Sequence, residues 1–295
     1  MVLALAASSC SRDTSRTSTP NGKPPPLAEL IKVVTTIYPV TYFTQRVGGD
    51  RVQVTSLVAP GIEAHDFEPK PSDLRALQDA RVVVYNHPAF ETWMADALRS
   101  AGTGKTVVQA ADAGVGEGAG ADPHVWLDPL KAAAQVQRIR DGLVAADPSG
   151  AEAYRARAAQ LMSELNSLHA SFQAALSDCA LKTVVISHAA FGHLARRYGI
   201  EQLGLAGISA EAEAGPQHTA EIARKMRELG IKHILVEPVL SARLAEALAA
   251  ETGATLLPLH PLETLTIEEQ AAGDDYFKVM VRDLESLKTA LRCKQ

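Results

Sequence analysis

The sequence predicts an α/β protein of two lobes, each a roughly four-stranded parallel sheet flanked by helices, joined by one long rigid backbone helix. Three observations predict it. Eight short apolar runs rich in β-branched residues fall four to each half of the chain. Each is followed by a helix-like segment or by a loop into one. Between the two sets lies a long stretch without Gly or Pro.

In the first half the runs are Ile31–Ile37, Val52–Val58, Val82–Tyr85 and Thr106–Val108. In the second half they are Thr183–Ile186, Gln202–Leu205, His233–Val236 and Ala254–Leu259. Their apolar character is nearly continuous, which suits strands covered on both faces. Strand–helix alternation implies parallel sheets with right-handed crossovers. Asp128 is placed to cap a helix that starts at Pro129 and runs to about Ala146. "ADPSG", Ala146 to Gly150, breaks that pattern. From Ala151 to about Ser177, Tyr154, Ala158, Leu161, Leu165, Leu168, Phe172 and Leu176 recur at helical spacing. At 1.5 Å per residue such a helix is about 40 Å long. A rod without glycine resists bending, so a large hinge closure is not expected. The boundaries that follow are 1–28 for a signal remnant and tether, 29–128 for the first lobe, 129–179 for the connecting helices and 180–295 for the second lobe.

The chain of 295 residues is 46% hydrophobic and 21% charged, ample for a buried core, with a net charge of −5. The absence of a basic excess argues against nucleic acid as partner. Aromatic residues make up only 5%, too few for a base- or sugar-stacking platform. The three cysteines, Cys10, Cys179 and Cys293, form no C-x-x-C motif. Cys179 and Cys293 can pair as a disulfide if the protein lives outside the cytosol. "MVLALAASSC" reads as the tail of a signal peptide ending in a lipid-acceptor cysteine, Cys10, with its basic start lying upstream of Met1. The Ser/Thr/Pro-rich stretch from Ser11 to Pro26 cannot pack and serves as a tether. No stretch resembles a transmembrane helix.

In open parallel sheets, ligands bind beyond the carboxyl ends of the strands. His65 follows the second strand. His124 follows the fourth, after the glycine-rich loop Gly114 to Gly120. His188 follows the fifth, and Asp274 heads a final helix after a long loop. Two facing lobes would bring these ends to one cleft, where three imidazoles and a carboxylate suit a tetrahedral zinc ion. Imidazole is a borderline ligand that favours Zn²⁺, with Mn²⁺ the alternative, whereas Mg²⁺ or Ca²⁺ would demand more carboxylates. Four protein ligands close the shell, which suits holding a metal rather than using one in catalysis. Of nine histidines, His87, His193 and His260 are rival ligands. His169 and His218 are read as solvated, and His233 opens a strand at the end away from the cleft. Glu213 and Glu237 stand either behind the imidazoles, orienting them, or on the surface.

"TTIYPV", "APGIEAHDFEPKPSDLRAL", "DPHVWLDP", "SHAAFGHLARRYGI", "GISAEAEAGPQ", "VEPVLS" and "GDDYFKVMVRDL" occur in this order from about Ile31 to Leu291. Together they resemble the metal-specific substrate-binding proteins of ABC importers, the zinc and manganese type. The resemblance implies two α/β lobes on one rigid helix and one metal between them. It also implies an extracytoplasmic location, periplasmic or at the cell surface, and delivery to a membrane permease driven by an ATPase; the protein is taken to be a monomer. The four ligands of that family fall on His65, His124, His188 and Asp274, with Asp275 the alternative to Asp274. A histidine at the third position implies the zinc branch. The region "DAGVGEGAGAD" lacks the histidines that many zinc members carry there. His193 stands where the family often has Tyr, and His260 where it often has Asp before Pro-Leu. The expected function is therefore capture and delivery of Zn²⁺ without enzymatic activity. The alternatives are a manganese or iron binder or an adhesin on the same scaffold, and a zinc hydrolase with Asp274 or Glu237 as base.

Overall fold

A computed structural model describes residue 2 and residues 30–111, 113–116, 121–208, 215–239 and 241–294. Cys10, the tether, most of the glycine-rich loop and Glu213 lie outside the described residues.

The first lobe contains β1 (Ile31–Thr35), α1 (Tyr38–Gly48), β2 (Val52–Ser56), α2 (Pro71–Asp79), β3 (Val82–Tyr85), α3 (Met94–Ala101) and β4 (Thr106–Gln109). Its four strands are all parallel, in the order β2-β1-β3-β4. The connection is α4 (Pro129–Ala146) followed by α5 (Ala151–Leu176). The second lobe contains β5 (Thr183–His188), α6 (Gly192–Tyr198), β6 (Glu201–Ala206), α7 (Pro216–Leu229), β7 (His233–Val236), α8 (Arg243–Thr252), β8 (Thr255–Pro258), α9 (Ile267–Ala271) and α10 (Tyr276–Leu291). Its sheet repeats the first topology, β6-β5-β7-β8, again all parallel. In both sheets the chain leaves the first strand to one side and returns on the other. That reversal opens a crevice at the carboxyl ends of the strands.

All eight predicted strands form, with ends shifted by one or two residues. The largest change of meaning is at β5, which runs through His188, so the histidine is the last rung of the ladder and pairs with Ala206 of β6. The central strands β3 and β5 are buried along most of their length, as continuous apolarity requires.

Asp128 caps α4, its Oδ1 accepting from the Leu130 amide at 3.0 Å, with Pro129 in the first turn. On α5 the buried residues are Tyr154, Ala158, Leu161, Leu165, Leu168, Phe172 and Leu176. They belong to one continuous apolar core that also holds Val33 and Phe43 of the first lobe and Val184 and Leu287 of the second. The long helix connects the lobes by being packed into both, so bending it would open core on either side. Cys179 and Cys293 are disulfide-bonded, tying the end of α5 to the residues after α10. Among the described residues no helix is long and apolar enough to cross a membrane.

Candidate metal centre

Four side chains meet between the lobes: His65, His124, His188 and Glu263. His65 stands in the loop after β2, where its amide donates to Glu63 Oε1 at 3.1 Å and its ring packs 4.4 Å from the Phe90 ring. His124 opens the short turn Val125–Leu127 after β4 and is wholly buried. His188 ends β5. Glu263 lies in the connection between β8 and α9, and it too is buried.

Glu263 Oε1 lies 3.1 Å from His124 Nε2, 3.3 Å from His65 Nε2 and 3.5 Å from His188 Nε2. His65 Nε2 and His124 Nε2 are 3.4 Å apart. A tetrahedral ion with bonds of about 2.0–2.1 Å separates its ligand atoms by about 3.3–3.4 Å. These four spacings fit edges of such a tetrahedron. His188 Nε2 is buried and lacks a close hydrogen-bond partner, a position that a cation at the centre would occupy.

The orienting groups fix which nitrogen faces inward. His124 Nδ1 lies 3.0 Å from Asp122 Oδ1, and His188 Nδ1 lies 2.7 Å from Glu237 Oε1. A carboxylate can only accept, so each Nδ1 donates and each Nε2 presents its lone pair to the centre. Gly192 makes room for the first of these supports, because a Cβ there would stand 2.4 Å from Asp122 Oδ2. Trp126 and Phe90 lie against the His124 ring and keep the surroundings apolar.

Burial by itself would drive the His188 imidazole toward its neutral form. The Glu237 and Glu263 carboxylates outweigh it and raise the group to about 10. His124 follows the same logic: burial opposes its charge, and Asp122 and Glu263 restore it, leaving it raised. Burial also opposes the Glu263 carboxylate, but hydrogen bonds from the three imidazoles hold it well below the usual carboxylate range. Without a metal, His124 and His188 favour their protonated forms beside one anion. A dication takes the place of those protons.

The three predicted histidines are thus together, and the predicted carboxylate is not. Asp274 does not join the cluster; its Oδ2 accepts from Arg282 Nη1 at 2.7 Å. Its neighbour Asp275 caps α10 by accepting from the Lys278 amide. The loop after β8, read from sequence as irregular, contains α9, whose Thr266 and Glu269 form a reciprocal capping box. Folding that helix carries Asp274 away and leaves Glu263 as the carboxylate of the cluster. Two signals in the sequence pointed there: a lone Glu in the apolar stretch Pro261–Leu265 beyond the last strand, and the T-x-x-E spacing of Thr266 and Glu269. Glu237 stands behind His188, one of the two places left open for it.

The rival histidines stand outside the cluster. His87 Nδ1 accepts from the Ala89 amide. His193 Nε2 donates to the Asp122 carbonyl at 2.7 Å, and His260 Nε2 lies 3.0 Å from Glu269 Oε2. His169, read as solvated, is half-buried and stacks on Tyr198, whereas His218 is exposed. His233 opens β7, away from the carboxyl ends.

The family described as zinc-uptake complex component A, periplasmic (ZnuA), matches residues 33–290. The chain belongs to the ZnuA family. Among ZnuA-like proteins it is 38% identical over 285 residues to the zinc-binding protein AdcA of Streptococcus pyogenes serotype M6, covering 88% of this chain and 55% of AdcA. The chain therefore spans about half the length of that relative. It is 33% identical over 282 residues to the high-affinity zinc uptake system protein ZnuA of Bacillus subtilis, covering 90% of this chain and 88% of that protein. The Zn(II)-bound ZnuA-like domain of Streptococcus pneumoniae AdcA superposes with a TM-score of 0.80 at 36% identity, over 89% of this chain and 99% of the domain. Two four-stranded lobes on a long helix are thus the ZnuA-type architecture.

Proposed function

We propose that this ZnuA-family chain binds Zn²⁺ outside the cytoplasm as transport cargo, on His65, His124, His188 and Glu263, and delivers it to a membrane permease driven by an ATPase. The observation that carries the reading is the spacing of the ligand atoms, 3.1–3.5 Å around Glu263 Oε1. Three imidazoles with one carboxylate suit Zn²⁺ better than the oxygen-seeking Mn²⁺. Four protein groups complete a tetrahedral shell, which favours holding over hydrolysis, since a catalytic zinc keeps one position for water. The names of the relatives, a zinc-binding protein and a zinc uptake protein, agree with cargo binding. The Cys179–Cys293 disulfide suits an oxidising compartment. Cys10, between an apolar run and a polar tether, is the candidate for lipid attachment, which the mass of the N-terminal peptide from cells would reveal.

The test is a chelator competition titration with Zn²⁺, Mn²⁺ and Fe²⁺ on the parent and three variants. The parent takes up one Zn²⁺ and prefers it. His188→Ala and Glu263→Ala lose affinity by more than the ~10–100-fold expected for removing an orienting partner. Asp274→Ala retains parental affinity. Weak binding by Asp274→Ala alongside parental binding by Glu263→Ala would return the fourth place to Asp274. A parent that prefers Mn²⁺ would return the reading to the manganese alternative.

A further inference from the structure

His260 lies outside the metal cluster, yet its amide and both ring nitrogens are engaged around the segment that carries Glu263. The residue is buried and follows β8. Its amide donates to Asp283 Oδ1 at 2.8 Å, a buried carboxylate of α10. Its ring Nδ1 accepts from the Leu262 amide at 2.9 Å, which leaves the proton on Nε2. From Nε2 it donates to Glu269 Oε2 at 3.0 Å. Glu269 is held in turn by the Thr266 amide at 3.0 Å and by Arg282 at 3.2 Å, and Arg282 holds Asp274.

The residue served by Nδ1 is the unusual one. Leu262 has φ of +61°, a left-handed conformation that a side chain with a Cβ adopts at a cost. Glycine would relieve the backbone, but the Leu262 side chain is fully buried in the core shared by both lobes. The turn is thus held by its surroundings, and the residue after it is Glu263. The same segment is anchored to the first lobe and the connection. Trp126 Nε1 donates to the Pro261 carbonyl at 2.7 Å, and the Tyr38 amide donates to the Glu263 carbonyl at 2.9 Å. Strained, non-glycine backbone held in this way clusters at functional sites, where it aims a group.

We propose that His260 is a positioning residue for the metal-binding carboxylate of Glu263, acting through the left-handed turn at Leu262. This rests on Glu263 being a ligand. His260 touches no ligand atom; it satisfies the amide of the strained residue and ties that turn to α9. Losing it lets the turn relax and moves the carboxylate off the tetrahedron.

The test compares the purified parent with His260→Leu, His260→Asn and Glu263→Gln. The readouts are the visible absorption of the Co²⁺-loaded protein, which reports the ligand set, and the rate of Zn²⁺ loss to a chelator. Asn can accept from the amide two residues on, as in an Asx-turn, so it restores the Leu262 contact without the one to Glu269. His260→Leu is expected to speed zinc loss by about 10–100-fold, as loss of an orienting partner does. It shifts the Co²⁺ bands in the direction that Glu263→Gln shifts them, and His260→Asn stays near the parent in both. Combined with Glu263→Gln, His260→Leu adds little, since both act on one group. A His260→Leu protein that melts earlier yet keeps the parental Co²⁺ spectrum and release rate would overturn the proposal, reducing His260 to packing. Should His260→Leu fail to fold, Glu269→Ala carries the test by freeing the ring at Nε2; faster release supports the proposal and a parental rate overturns it. Parental release by Glu263→Gln as well would instead remove Glu263 as a ligand, and the role of His260 with it.

Discussion

The buried Glu263 carboxylate stays ionised, and His124 and His188 beside it hold their protons more tightly, which sets how the protein responds to pH. His188 is raised from 6.5 to about 10 in the metal-free fold. Below about 6.5 the proton is held in folded and unfolded chains alike, and the stability from this group is fully present. As pH rises through about 10 the folded chain gives the proton up and that stability is lost. Metal-free protein should therefore melt at progressively lower temperature from about pH 6.5 to 10, and zinc-loaded protein, whose His188 has given up its Nε2 proton to the metal, should not follow. The same shift moves the pH dependence of binding. Zinc must displace protons from His188 and His124, so affinity should keep rising above neutrality rather than level off just above 6.5. Proton release on zinc addition at pH 8, followed with a pH indicator in weak buffer, checks it. No release would mean that the cluster is already deprotonated. Imidazole by its type titrates near 6.5; the Glu237 and Glu263 carboxylates against the His188 ring move it upward.

At the scale of elements, legibility followed how local the signal was. The eight strands were readable because each is a short run covered on both faces, and α5 because its seven buried residues keep helical spacing without interruption. Leu165 sits wholly buried on that helix, within the core shared by both lobes. Leu165→Ala should lower unfolding free energy by ~2–5 kcal/mol, read from denaturant midpoints, while zinc stoichiometry at 25 °C stays at one. Loss of metal without loss of stability would deny α5 its part as a shared rod. The short helix α9 was harder. It is five residues long, and its signal is the Thr266–Glu269 capping box rather than any periodicity. Missing it displaced the candidate carboxylate to Asp274, because a loop drawn straight from β8 to α10 delivers the first acid before that last helix.

For the whole molecule, the continuous core through α5 holds the halves in register, and the disulfide, closing a separation of 114 residues between Cys179 and Cys293, ties the end of that helix to the second lobe. A cross-link of that span restrains the unfolded chain by about 5 kcal/mol in the chain-entropy treatment. The pair Cys179→Ser and Cys293→Ser should accordingly unfold at lower denaturant than the parent, with the native zinc stoichiometry kept where the chain is folded. Equal midpoints for the two proteins would mean that the unfolded chain gains nothing from losing the link. Both sheets share one topology and turn their carboxyl ends toward the cleft, so the four clustered side chains arrive from both lobes, with His65 and His124 after strands of the first and His188 and Glu263 from the second.

The sequence by itself determined the eight strands, the connecting helix and the three imidazoles, because strand periodicity, helix caps and turn residues act over a few positions and each histidine lies at or soon after a strand end. Only the tertiary structure decided which carboxylate completes the set. That choice depends on the path of the segment after β8, which is fixed by hydrogen bonds to residues remote in the chain, from Trp126 to the Pro261 carbonyl and from Tyr38 to the Glu263 carbonyl. Such bonds leave no period and no spacing in the residues they hold.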